Sequence, residues 1–285
     1  MLLRQVRDTR ADAEAVRQVV LAARGEAEED WPPPRTARFH RRARHLAGTD
    51  PGGCWLAEDV AGRPVGAALA SRREGLWGLS LLVVDPRARG KGVGTALLRR
   101  AMTHARGTLR GMICGSGDPL AARVHRAAGF TLHPVMRLSG TVDASRLAAP
   151  DGPAIEGGPA QIDLMDSVDR RLRGGAHGPD HRELLLHCRV VVADDLGGSG
   201  YCYLDDDGTV ELLAATSRRI AVRLLASALL SRPPGATATV PRLTAEQEWA
   251  VDVGLAAGLE LAPGGYLCLR GMRPPAPYIP SAAFL

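Results

Sequence analysis

The residues best suited to chemistry are Arg89, Gly90, Lys91, Gly92, Val93, Gly94 and Thr95, a basic, glycine-rich turn between the apolar run ending at Leu82-Val83-Val84-Asp85-Pro86 and a helix. The helix is legible from Val93, Leu97, Leu98, Ala101 and Met102, which fall on one helical stripe. Its first-turn amides have no intrahelical acceptor and carry the positive end of the macrodipole, so an anion there is stabilised by backbone alone. Glycines at 90, 92 and 94 let the backbone come close, and Arg89 and Lys91 add charge; Lys91 is the only lysine among the 36 Lys and Arg residues. The ligand that suits such a loop is a pyrophosphate. A Walker A loop is excluded because Gly92, not Ser or Thr, follows Lys91, and a dinucleotide fingerprint is excluded by the G-x-G-x-G spacing.

Strands are predicted over 54–59 and 64–72 before the loop, and over 111–114 and 135–138 after it. A helix is predicted from Thr9, where Thr9-x-x-Asp12 has the form of a capping box, to Arg24-Gly25, with Val16, Val19, Val20 and Ala23 inward. A second helix is predicted over 36–46, after the acidic loop Glu26-Ala27-Glu28-Glu29-Asp30.

The second half of the chain repeats the first. Glu211-Leu212-Leu213-Ala214-Ala215 reads as a strand, and Ile220, Leu224, Leu225, Ala228 and Leu229 reproduce the spacing of the Val93 stripe. Val93 to the Ala-Ala-Gly-Phe ending at Phe130 and Ile220 to the Ala-Ala-Gly-Leu ending at Leu259 are nearly equal lengths of chain. The connection from Ala215 to Ile220, however, is shorter by the length of the glycine loop. The second half is therefore not expected to hold a pyrophosphate. Pro and Gly enrichment over 148–159 predicts a linker between the halves.

The segment Arg89-x-x-Gly92-x-Gly94 after a Val-Asp-Pro strand end resembles the acyl-CoA pyrophosphate loop of the GNAT superfamily of acyl-CoA-dependent N-acyltransferases. The resemblance continues through the strand over 111–114 to Asp118-Pro119-Leu120-Ala121, which opens a helix ending at Ala127-Ala128-Gly129-Phe130, as the family's second CoA-contacting segment does. It covers about the first half of the chain. It implies an α/β fold of two tandem GNAT-like domains, each a mixed, mostly antiparallel sheet flanked by helices. Residues 1–148 would be the acyl-CoA-binding N-acyltransferase domain and 160–285 a degenerate GNAT-like domain.

By the same resemblance, main-chain groups of Leu82, Val83 and Val84 pair with pantetheine, an amide there polarises the thioester, and Asp118 belongs to the cofactor-binding set. Acetyl-CoA is the implied co-substrate. The family often carries Tyr as thiolate acid where this chain has His125. That residue reads either as a donor to the thiolate or as a packed helix residue. A family Glu that acts as base aligns with Gly78, so the base is left among Glu28, Glu29, Asp30, Glu74, His133 and a water chain. The acidic run at 26–30 reads as a solvated patch, or as an electrostatic lure for a cationic amine.

Composition bounds the alternatives. With 285 residues and 45% hydrophobic content, the chain is long enough for two domains with cores. No apolar signal region opens the sequence and no long apolar run suggests a membrane span, so the cytoplasm is the expected compartment. Five cysteines without metal spacing read as free thiols. A net charge of +5 with only 4% aromatic residues argues against nucleic-acid binding, because few rings are present to stack on bases. No metal site is expected: Gly178-Pro179 interrupts the run from His177, and His177, His181 and His187 cannot share one helical face. The proline-rich tail around Tyr278 is expected to tie down the terminus. The function expected is acetyl transfer to a primary amine of a small molecule, by a monomer or homodimer. The alternatives are an acyl-CoA-binding protein without turnover and a protein-lysine acetyltransferase.

Overall fold

Thr9 leaves the first strand, β1 (Leu2–Gln5), in extended conformation, and its side chain accepts the Asp12 amide to start α1 (Arg10–Arg24). Only half of the anticipated capping box forms. The Asp12 carboxylate turns instead to Arg4 at 2.6 Å and to the Arg7 amide at 2.8 Å, tying the helix start to β1. Gly25 ends α1 at φ +67, where a glycine meets no steric penalty. The second helix, α2 (Pro33–Thr49), is longer than the sequence suggests, because prolines at its first positions pre-set helical φ where no amide partner is needed.

A computed structural model describes residues 1–285, which divide into two compact units, Met1–Gly111 with Leu285, and Met112–Phe284. In the first, β1, β2 (Trp55–Glu58), β3 (Pro64–Arg73) and β4 (Leu76–Val84) pair antiparallel in chain order. α3 (Val93–Thr103) buries Val93, Leu97, Leu98 and Ala101, the stripe read from the sequence. Asp50, at the end of α2, gathers the Arg72 amide at 2.8 Å, the Arg73 guanidinium at 2.7 Å and His104 at 2.9 Å. Burial alone would raise this carboxyl, but the His104 hydrogen bond and the Arg73 charge outweigh it and hold it at about 2.

β5 (Arg110–Gly115) leads into the second unit. There follow α4 (Pro119–Ala127), β6 (Thr131–Thr141), β7 (Ile155–Glu156), α5 (Ile162–Arg173), α6 (Pro179–Leu184), β8 (Cys188–Asp195), β9 (Gly198–Asp205) and β10 (Val210–Ala215). The chain continues through α7 (Arg218–Leu230), β11 (Thr237–Leu243), α8 (Glu248–Ala256), β12 (Glu260–Arg270) and β13 (Tyr278–Ile279). The units divide at Gly111/Met112, not in the Pro/Gly-rich stretch over 148–159. The reason is pairing: β6, before that stretch, lies between β11 and β12, after it, with registers such as Val240↔Leu138 and Cys268↔Leu132. The repeated stripe Ile220, Leu224, Leu225, Ala228 and Leu229 is fully buried on α7. Each of its Ile and Leu side chains contributes about 1.5–3 kcal/mol.

The second sheet runs β13-β10-β9-β8-β7. β10 and β11 belong to different sheets; a parallel bridge, Thr209↔Thr239, forms just before β10, and Arg242 of β11 donates to the Glu211 carbonyl of β10 at 3.2 Å. Beside β10 lies β13, paired antiparallel through Leu213↔Ile279 and Ala214↔Tyr278. The tail is thus a strand, more than the simple tether its proline content suggests. No helix is long and apolar enough to cross a membrane.

Candidate functional site

The first unit carries Leu82 to Thr95 as one continuous strand, loop and helix start. Leu82, Val83 and Val84 are half-buried and pair with Ala68, Ala67 and Gly66. Upstream, the register slips between Leu69↔Leu81 and Ala70↔Leu79, leaving Ser80 as a bulge whose carbonyl accepts Arg42 Nη2 at 2.7 Å. After Val84, Asp85 caps a short turn, and Gly90 and Gly92 take φ of +75 and +76. A Cβ at either position would meet nothing within 4 Å, so the space above both glycines is open. The first α-helical bond of α3 runs from the Ala96 amide to the Gly92 carbonyl, which leaves the Val93, Gly94 and Thr95 amides without intrahelical partners. The loop thus sets three amides without intrahelical partners beside two left-handed glycines. The two cations are placed differently from the simplest reading. Arg89 reaches the Ala23 carbonyl at 2.9 Å and Lys91 the Arg87 carbonyl at 3.1 Å, so both brace the loop from its exposed rim.

In the second unit, Asp118 and His125 lie at opposite ends of α4. Asp118 is exposed and caps the helix, accepting the Leu120 amide at 2.8 Å. His125 is 4% exposed, and burial pushes its imidazole pKa down, so the ring is neutral at pH 7. Its Nδ1 lies 3.6 Å from Cys268 Sγ, and its Nε2 is buried without a partner.

Glu14, Glu26, Glu28 and Asp30 near α1 and α2 all have partners. Glu26 pairs with Arg35 at 3.2 Å, Glu28 with Arg17 at 2.7 Å, and Asp30 accepts the Ala27 amide at 2.7 Å. Arg17 also holds Glu14, which accepts His40 as well; that carboxyl is lowered to about 2, chiefly by Arg17. A Cβ on Gly78 would come within 2.5 Å of Leu285 Cβ, so the position of the family's Glu is filled by an apolar residue.

Sequence reasoning missed the largest buried polar cluster. Asp169 on α5 accepts His177 Nδ1 at 2.6 Å, His181 Nε2 at 3.1 Å and the Tyr201 hydroxyl, all fully buried. Arg173 donates to His177 Nε2, and His181 Nδ1 lies 3.1 Å from the Tyr203 hydroxyl. The spacing of Asp166, Asp169 and Arg173 along one helix was the available signal. His177 and His181 do meet, through a turn instead of a shared helical face, and their ligand atoms lie within 4.8 Å of Asp169. The donor set does not suit a metal: with Nδ1–H given to Asp169 and Nε2 accepting from Arg173, His177 has no lone pair to offer.

This cluster sets a pH dependence. Burial holds His177 near 4, below its ordinary 6.5, while the Asp166 and Asp169 carboxylates outweigh burial and raise His181. Between about pH 6.5 and 4 the unfolded chain binds a proton at position 177 that the folded chain refuses, so stability falls on acidification by about 3 kcal/mol. His181 acts oppositely: its contribution is complete below about pH 6.5 and is lost as pH rises through its raised folded value. Urea unfolding from pH 7 to 4.5 should show the acid limb, and His177→Asn should flatten it.

The strand that runs through a left-handed glycine turn into a helix with free first-turn amides, and the Asp-capped helix after it, all lie within a stretch that resembles the GNAT acetyltransferase family. Residues 19–130 match the family model described as Acetyltransferase (GNAT) family. Over 94 residues, 32% of this chain, it is 39% identical to a mycothiol acetyltransferase of Clavibacter michiganensis, and the match spans 30% of that relative's length. A solved Pyrococcus horikoshii structure assigned as an acetyltransferase is 17% identical, with a TM-score of 0.73 over 100% of this chain and 95% of its own. A tandem GNAT protein from the clavulanic acid biosynthesis pathway is also 17% identical, with a TM-score of 0.56 over 95% of this chain and 99% of its own. The fold is accordingly α/β, two tandem GNAT-like domains with mixed, mostly antiparallel sheets flanked by helices.

Proposed function

We propose that this protein is an N-acetyltransferase that uses acetyl-CoA to acylate a primary amine of a small molecule, with residues 1–148 as the acyl-CoA-binding domain and 160–285 as the degenerate partner. The observation that carries this reading is the loop: open space over Gly90 and Gly92 beside the unpartnered amides of Val93, Gly94 and Thr95. Bound acetyl-CoA supplies an activated thioester. The first-turn amides and the helix dipole receive the pyrophosphate, and the half-buried main chain of Leu82 to Val84 receives the pantetheine arm. His125 is neutral and keeps an unpaired Nε2, so its part is hydrogen bonding to the departing sulfur; a neutral imidazole does not release a full proton to it. The proton lost by the amine ends on the thiolate or on water.

The second half contributes no second cofactor site under this reading. It lacks the glycine loop, and β10, the strand before α7, is paired on both sides, with β9 and β13. Calorimetry should return one acetyl-CoA site per chain. The rival, a binder without turnover, is favoured by the engaged carboxylates of Glu26 and Glu28 and by Leu285 over Gly78. Release of free CoA in the presence of an amine library, with the product identified by mass, separates the two.

His125→Ala should lower kcat about 100-fold with little change in acetyl-CoA affinity, because a preorganised donor aimed at the atom where negative charge develops is worth about that much. Steady-state kinetics on protein of verified folded fraction decide it. An unaltered kcat removes His125 from the mechanism.

A further inference from the structure

The matching stripes set Ile220 of α7 beside Val93 of α3, and so Arg219 at the place of Gly92, the glycine over which the first half's loop lies open. The second half fills that place with its own groups. Ser217 caps α7 by accepting the Ile220 amide, whereas no side chain caps α3 at Gly92. Arg219 and Arg223, one turn apart on α7, both donate through Nε to the Asp151 carboxylate, Arg223 at 2.9 Å. Arg223 also donates through Nη1 to Asp195, at the end of β8, at 2.5 Å.

Asp151 lies in the Pro/Gly-rich stretch before β7, and over 148–153 the chain makes no main-chain hydrogen bond with another segment. Its place is held by the two arginines. Gly152 lies against the guanidinium it helps to cover: a Cβ there would stand 2.7 Å from Arg223 Cζ and 2.8 Å from Nη2, and Arg223 is left only 2% exposed. A side chain at 152 would lift the chain off the arginine. A guanidinium is permanently charged, and its planar fork of donors fits carboxylate and phosphate oxygens alike. Taken out of water, it requires an anion, and the chain supplies two.

We propose that Arg219 and Arg223 form an anion site for carboxylate and phosphate groups, and that the chain closes it with a strap, residues 150–152, whose Asp151 is the resident anion. The likeness to α3 rests on the pyrophosphate site proposed above; the strap does not. Where the first half offers its helix start to a diffusing phosphate, the second has Ser217 on the first turn and Asp151 on the arginines. An external phosphate reaches Arg219 and Arg223 only when the strap is released.

NMR of backbone amides and arginine Nε groups on the full chain reads both parts. The Gly152 amide should have an order parameter of about 0.85 in the parent and below about 0.6 in Asp151→Ser, with Asp151→Glu close to the parent. Equal order in the parent and in Asp151→Ser overturns the strap. Inorganic pyrophosphate is then titrated into Gly92→Val and into Gly92→Val with Asp151→Ser, the first substitution removing the loop's own binding. The Nε signals of Arg219 and Arg223, assigned by their loss in Arg219→Gln and Arg223→Gln, should shift saturably only where Asp151 has been replaced. No shift in either chain, or an equal shift in both, overturns the anion site. Pyrophosphate shifts confined to α7 in every chain, the parent included, would instead remove the loop reading, and are told apart by the Val93, Gly94 and Thr95 amides.

Discussion

Gly92→Val is expected to weaken acetyl-CoA binding by at least about 100-fold, close to 2.7 kcal/mol of binding free energy. Two effects act together. The backbone at position 92 has φ +76, a conformation that costs a non-glycine residue about 1–2 kcal/mol and a β-branched one more. The added side chain would also project into the open space over the loop, where nothing in the protein lies within 4 Å. Gly94→Ala separates these effects. Gly94 is helical, and its Cβ would meet only Val84 Cγ2 at 3.5 Å, an ordinary contact. That variant should be as stable as the parent or more so, since alanine favours the helix by about 1 kcal/mol, yet bind acetyl-CoA less well. Paired calorimetry and thermal unfolding give the answer. Undiminished binding in both variants would exclude the glycine loop as the pyrophosphate site.

Asp169→Asn is expected to cost about 3–5 kcal/mol of stability. The carboxylate is fully buried and accepts from His177, His181 and Tyr201, and these donors hold it far below the ordinary carboxylate range despite burial. An amide at this position presents hydrogens toward groups that are themselves donors, and leaves His181 without the charge that supports its protonation. Against a total stability of about 5–15 kcal/mol, that is a large fraction. Tyr201→Phe removes one donor and should cost about 1–3 kcal/mol. Urea unfolding of both variants at pH 7 measures the pair. Equal, small losses would mean that the cluster is solvated in solution and contributes little.

What was legible in the sequence was local. The Val93 and Ile220 stripes lie within single helices, so their periodicity alone announced which faces would be buried. The loop from Arg89 to Thr95 and the caps at Thr9 and Asp118 are likewise contained within a few residues. Contacts between distant segments left no such trace. His125 and Cys268 are far apart in the chain, and nothing near either residue signals the other. Asp169 and Tyr201 come from α5 and β9, and the pairing of β6 with β11 and β12 crosses a stretch whose composition marks it as a linker. The two-residue strand β13 is too short for any periodic pattern to announce it.

The pairing of β13 with β10 separates the fates of the two halves of this duplicated plan. A strand edge that waits for a diffusible partner is stabilised by mass action, so its order rises and falls with the concentration of that partner. An edge paired by its own chain has a tethered partner at an effective concentration on the order of millimolar or above, fixed by covalent connection and indifferent to metabolite supply. The first half is therefore expected to stiffen as acyl-CoA levels rise. The second, with its partner built in, is expected to keep the same order whether or not that ligand is present.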